Sequence, residues 1–162
     1  MQQVGEPMTT VTNYLIAILF SSVSMGSAYA CPNLSGTYLC GHEEMLVETY
    51  YDNSTYFLRF GGGFPFPADG SLIAIPDFDD MKQIKVYLTC EDAAPYGAHL
   101  KMDYSGQRYN DQGQHISTIA LDMHFYSGSN GEFVQQAMGT ETDVSGNEMP
   151  ISEAESCVKI RP

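Results

Sequence analysis

Short runs of alternating apolar and polar residues, each closed by a turn signal, constrain this chain more than any other feature. From residue 31 onward the punctuation falls at 52–54, 61–70, 76–80, 91–97, 105–113, 127–131 and 143–147. These stretches are rich in the Gly, Pro, Asn, Asp and Ser that supply turn dihedrals and local hydrogen bonds. Between them the β-type runs predict strands over residues 36–41, 44–51, 55–60, 71–75, 83–90, 98–104, 114–126, 132–140 and 155–161. No segment after residue 30 shows the 3.6-residue apolar period of an amphipathic helix. The expectation is an all-β, antiparallel up-and-down meander that removes its edges by closing into a roughly eight-stranded barrel. A meander sandwich satisfies the same pattern.

Alternation orients the strands. Ile84, Val86, Leu88 and Cys90 share one face of 83–90, and Gln83, Lys85, Tyr87 and Thr89 share the other. Over 98–104 the inward set is Ala98, Leu100, Met102 and Tyr104, with His99, Lys101 and Asp103 toward solvent. Ile119, Leu121, Met123 and Phe125 alternate with Thr118, Ala120, Asp122 and His124. One-sided strands of this kind surround a single apolar interior. The run 132–140 alternates too irregularly to assign its faces.

The N-terminus reads as an export signal. Residues 11–20 (VTNYLIAILF) are followed by a small, weakly polar stretch that ends in Ala28-Tyr29-Ala30, an A-x-A cleavage site. The apolar run is shorter than the roughly 20 residues of a membrane span. Ser21, Ser22 and Ser24 interrupt its extension. The leader departs from the usual pattern in having no Lys or Arg, since the first cationic side chain is Arg59. Starting at Met8 would leave a leader of conventional length. Cleavage after Ala30 puts Cys31 first, which raises lipoprotein anchoring, although Ala28-Tyr29-Ala30-Cys31 departs from a Leu-Ala-Gly-Cys lipobox. The division expected is a signal peptide over 1–30 and one β-barrel domain over 31–162, secreted or periplasmic, with no stable membrane span in the mature chain.

All four cysteines, Cys31, Cys40, Cys90 and Cys157, follow the leader. An even number in an exported chain implies two disulfides. No C-x-x-C or Cys/His spacing suggests zinc. Cys31 and Cys40 are separated by an extended strand too long for a bridge, because 36–40 alone would span roughly 16 Å against a Cα limit of about 7 Å. With an even number of strands the last runs antiparallel beside the first, which brings Cys157 near Cys40. Cys31 with Cys90 follows by exclusion.

Charge narrows the function. Twenty Asp and Glu against seven Lys and Arg give a net charge of −13, which is the wrong sign for nucleic acid or an anionic membrane surface. Disorder is not expected at 43% hydrophobic residues.

The opening Leu34-Ser35-Gly36-Thr37-Tyr38 resembles the Gly-x-Trp first-strand signature of lipocalin-like (calycin) barrels, with Tyr38 in place of Trp. The resemblance covers about ten residues from Cys31 to Cys40. It implies an eight-stranded barrel in which the aromatic ring packs across the base, and often a small apolar ligand inside.

The candidate ligand site combines the interior with one loop. Tyr38, Met102, Tyr104, Leu121, Met123 and Phe125 point inward, and Met adapts to varied apolar shapes. In the segment 60–70, Phe60 is followed by three glycines, then by Phe64 and Phe66, each held extended by the Pro after it. Two rings on a movable loop suit a ligand lip or partner contact, or a lid that plugs the barrel end. A small barrel is either filled by its own side chains or holds one small ligand, and filling is the default.

Other constellations read more simply. Asp77-x-Asp79-Asp80 and Glu91-Asp92 offer hard oxygens, but they lack the Gly and terminal Glu of an EF-hand and read as solvated turns. Asp122 and His124, at i, i+2 on one face, read as a surface hydrogen bond. No Gly-x-Ser-x-Gly elbow, phosphate loop or free thiol supports catalysis, and no cofactor motif occurs. The expected function is therefore that of an exported, non-enzymatic binding protein for a small apolar ligand. The alternatives are a protein-interaction module (a barrel-type protease inhibitor or envelope component) acting through its loops, and, third, a wall or glycan hydrolase.

Overall fold

Ten antiparallel strands form one sheet in the computed structural model, which describes residues 31–162. The expected leader and cleavage site lie outside the described residues. In chain order the strands are β1 (Gly36–Cys40), β2 (Glu43–Asp52), β3 (Thr55–Phe60), β4 (Phe66–Pro67) and β5 (Ile73–Ile75). They continue with β6 (Met81–Ala93), β7 (Gly97–Tyr109), β8 (His115–Ser127), β9 (Phe133–Asp143) and β10 (Glu148–Arg161). No helix occurs among the described residues, so none is long and apolar enough to cross a membrane.

Sequence neighbours pair everywhere except between β4 and β5, and β10 returns to pair antiparallel with β1. The order is thus β4-β3-β2-β1-β10-β9-β8-β7-β6-β5. Its two ends approach each other where Asp69 bridges Thr89 and the Gly70 N–H donates to the Leu88 carbonyl at 2.9 Å. The meander nearly closes into a barrel.

The expected strand number is corrected from about eight to ten. The difference lies mainly in 61–75, where the aromatic-proline segment read as a loop contributes β4 through the Leu58–Phe66 pair, and the apolar run 71–75 shortens to β5. Elsewhere polar residues extend ladders that turn propensity would have ended. The β6–β7 hairpin runs to Ala93 and Gly97, β7 reaches Tyr109, and β10 begins at Glu148 opposite Thr142. A neighbouring ladder supplies backbone partners there and overrides local preference. The tight β2–β3 hairpin follows the sequence directly. Asn53 and Ser54 both adopt positive φ, +46° and +71°, the pair of left-handed residues that suits a type I′ turn.

The interior is built by the alternation read from the strands. Ile84, Val86 and Leu88 of β6, Leu100 and Met102 of β7, and Ile119 and Phe125 of β8 are buried. At one end Tyr38 packs 5.5 Å from Phe133, and its hydroxyl donates to the Leu34 carbonyl at 2.9 Å. The Lys159 ammonium lies 5.7 Å from the Tyr38 ring centre, an additional attraction to the π face.

The outward faces of β7 and β8 require a correction. His99, expected in solvent, is 1% exposed, and His124 on the neighbouring strand is 8% exposed. The cause is Tyr96, from the β6–β7 turn, whose ring stacks on His124 at 4.3 Å and meets His99 at 5.2 Å. Ala98 is also corrected, because it lies exposed at the end of the hairpin and not in the interior.

Two disulfides tie the sheet, Cys31–Cys90 and Cys40–Cys157. The second links β1 to β10 one step beyond the Leu39–Val158 pair. The first anchors the segment before β1 to β6. Tyr56 holds the same segment from the other side, its hydroxyl donating to the Pro32 carbonyl.

Burial pushes the Tyr56 phenol from 10.0 up to about 12 and shifts Tyr38 and Tyr104 the same way. Only the neutral phenol suits the fold. The associated stability is complete below pH 10 and is lost as pH rises from 10 through about 12. For Tyr56 this amounts to roughly 2 to 3 kcal/mol. Tyrosinate absorbance and circular dichroism, followed together, should show Tyr56 ionising with or after the alkaline loss of structure. Ionisation of every tyrosine near pH 10 in an intact fold would refute this.

Candidate functional site

The inward side chains and two connections line an apolar pocket that opens to solvent. Between Tyr104 and Phe125 they leave a cavity of about 350 Å³, within the roughly 300–1,000 Å³ of small-molecule sites. Register explains the lining. Met102 of β7 pairs with Met123 of β8, and Val86 of β6 pairs with Tyr104, so thioethers, an aliphatic group and a phenol stand in adjacent rows. Phe125 closes one wall, stacked on Phe133 at 6.0 Å and tilted against Phe60 of β3 at 5.8 Å. Phe66 enters from β4, and Met45 and Ile75 complete the apolar wall.

Six of the residues expected from sequence share this lining: Phe60, Phe66, Met102, Tyr104, Met123 and Phe125. Three do not. Tyr38 is part of the packed end against Phe133. Leu121 lies one pair further along β8, opposite Tyr104, and packs against the core. Phe64 is 62% exposed, its ring edge-on to Phe66 at 5.6 Å. The two rings of the loop are thus divided, with Phe66 inside and Phe64 outside.

Met45, Ile75, Phe78, Val86 and Gln135 also line the cavity and were not singled out from sequence as site residues. Val86 was legible as inward-facing. Phe78 was hidden inside an acidic turn, and its one signal was an aromatic ring among three aspartates. It is 54% exposed while lining the cavity, so the cavity reaches solvent at the β5–β6 turn. Gln135 belongs to the strand whose alternation was irregular.

The chemistry of the lining is mostly that of hydrocarbon. Its polar groups are the Gln135 amide and the Tyr104 phenol, whose pKa is raised by burial. None of the lining side chains is a carboxylate, an imidazole, an aliphatic hydroxyl or a thiol. Further along the same face of β7, Arg108 donates from Nη1 to Glu141 at 2.7 Å, while its Nε lies 3.3 Å from Asp80. Ser117 donates to the same Glu141 carboxylate. The guanidinium there is already compensated by two carboxylates.

Asp77 accepts the Gln83 N–H at 3.0 Å across the β5–β6 turn, and Asp80 faces Arg108. Comparison with protein-family models, with curated proteins and with solved structures yields no match to this chain.

Proposed function

We propose that this chain is an exported, lipocalin-like binding protein that carries a small apolar molecule in the barrel cavity. The observation carrying this reading is a lining of rings, thioethers and aliphatic groups around about 350 Å³, with one amide and one phenol to orient a guest. Moving roughly 200 Å² of apolar ligand surface out of water contributes about 5 kcal/mol before the cost of immobilisation. Met45, Met102 and Met123 let the wall follow guests of different outline. Phe66 forms the inner lip, beside a Gly61-Gly62 hinge whose φ values are +56° and +73°. Two disulfides suit an oxidising compartment, secreted or periplasmic.

A protein-interaction module is the second reading. It is favoured by the exposure of Phe64 (62%) and Phe78 (54%) on neighbouring connections.

Native mass spectrometry of the protein exported by its host tests the first reading. The expected result is an excess mass that disappears on denaturing extraction. Met123→Trp, which fills the cavity from its wall, should reduce uptake of a hydrophobic fluorescent probe at least tenfold while the two-disulfide fold persists. Phe64→Ser should leave uptake intact. If the wild-type protein carries no excess mass and takes up no probe, the carrier reading fails. A partner lost only with Phe64→Ser would favour the interaction module.

A further inference from the structure

Polar chemistry that the cavity does not use is buried on the outside of the barrel, beneath the β6–β7 turn. His99 and His124 stand side by side on outward faces, with ring centres 5.0 Å apart. Tyr96 covers both, and Tyr126 flanks Tyr96 at 5.1 Å.

The hydrogen bonding of His99 sets its tautomer. Nδ1 lies 2.7 Å from the Gly97 carbonyl, which can only accept, so Nδ1 carries the proton and donates. In the neutral ring Nε2 is then a bare lone pair. It is fully buried without a hydrogen-bond partner, and it faces Glu91 Oε2 at 3.8 Å. Two acceptors confronting each other, one of them removed from water, are unfavourable unless a cation lies between them. His124 is similarly placed. Its Nδ1 is buried and unpartnered, and its Nε2 lies 3.3 Å from Asp122 Oδ1, which is buried without a hydrogen bond.

We propose that Glu91, His99 and His124 form a binding site for a divalent transition-metal ion, Zn²⁺ or Cu²⁺, on the outer face of the barrel under Tyr96. Imidazole nitrogen with a single carboxylate suits these ions better than Ca²⁺ or Mg²⁺. At metal–ligand distances of about 2.1 Å, tetrahedral coordination needs His99 Nε2 and Glu91 Oε2 to close by only about 0.4 Å. The Nδ1–H bond to a backbone carbonyl is the outer contact that commonly orients a metal-bound histidine.

The third position is not preset. Among the described residues, the one trio of candidate ligand atoms within 4.8 Å of one another is Cys40, Glu155 and Cys157, and both sulfurs there are consumed in a disulfide. Coordination by all three residues requires His124 to turn out of its Asp122 contact and off the Tyr96 ring toward His99 and Glu91. Asp122 remains near the Lys101 ammonium, 3.6 Å from its Oδ2, and Asp103 lies 3.3 Å from the same ammonium. Water completes the coordination shell.

The test uses the untagged full chain with both disulfides formed, stripped with chelator and titrated with ZnCl₂ or CuSO₄ in a calorimeter. One ion per chain is expected, with nitrogen hyperfine coupling in the Cu²⁺ electron paramagnetic resonance spectrum and quenching of tyrosine fluorescence. His99→Gln should weaken binding by about tenfold or more. Because His99 is buried, that variant alone could act through folding. Glu91→Gln, at a side chain that is 41% exposed, should give the same loss in a protein with wild-type thermal stability. Asp122→Asn, which frees His124, should leave binding intact or tighten it. Absence of stoichiometric binding in the micromolar range would overturn the proposal and leave a proton between Glu91 and His99. Binding that survives both His99→Gln and Glu91→Gln would also overturn it by placing the ion elsewhere.

Discussion

Replacing Cys40 and Cys157 together with Ala should lower the unfolding free energy by about 5 kcal/mol. The bridge joins residues separated by 117 positions, so in the unfolded chain it removes the entropy of a very large loop. The Cys31–Cys90 bridge closes a loop of 59 and is expected to contribute about 4 kcal/mol on the same basis. Position adds to the first effect. Cys40 and Cys157 connect β1 to β10, the pairing that joins the β1–β4 meander to the β5–β10 meander in one sheet. Against a total stability of about 5–15 kcal/mol, the double variant should be marginal at ambient temperature. Guanidinium unfolding of the two Ala pairs, each with the other bridge intact, measures the difference. A loss below about 2 kcal/mol for Cys40/Cys157 would mean that the unfolded chain keeps β1 near β10 without the bond.

Gly139→Ala should be the most damaging single methyl addition in the sheet. Gly139 sits in β9 opposite Leu121 of β8 and Ile151 of β10. A Cβ there would stand 2.0 Å from the Ala120 carbonyl oxygen and 2.9 Å from the Leu121 Cα. Both obstacles are backbone in a strand paired on each side, so relief requires moving β8 or bending β9 at a central ladder. The backbone dihedral is not the cause, since Gly139 is absent from the positive-φ residues. The expected cost is about 3 kcal/mol, a fall in Tm of roughly 10 °C for a domain of this size. A Tm within a degree or two of wild type would show that the two strands do not approach so closely in solution.

Much of the fold was legible because its causes are local. Side chains alternate with period two along any strand, so Ile84, Val86 and Leu88 declared their face without knowledge of their neighbours. Asn53-Ser54 marked its hairpin because two consecutive residues there must adopt positive φ. The even strand number behind the Cys40–Cys157 argument agrees with the ten strands and the bridge observed. The segment 105–109 carried a turn signal and 148–154 was assigned to no strand, yet both became strand, because an adjacent strand supplies their backbone partners.

The site divides along the same line. Phe60, Phe66, Met102, Tyr104, Met123 and Phe125 were recognisable as apolar groups on inward faces or on one loop, and spacing alone placed most of them. Phe78 and Gln135 became neighbours of that set only through the curvature of the sheet. Sequence by itself determined the all-β class, the alternating faces, the acidic surface and the cysteines available for pairing. Each of these follows from covalent order and the two-residue repeat of a strand. Tertiary structure alone decided that an apolar pocket of about 350 Å³ opens beside the β5–β6 turn, that Phe64 and Phe66 part company, and that His99 is buried on an outward face. Volume and burial depend on how closely distant strands and turns approach, and no local spacing records that distance.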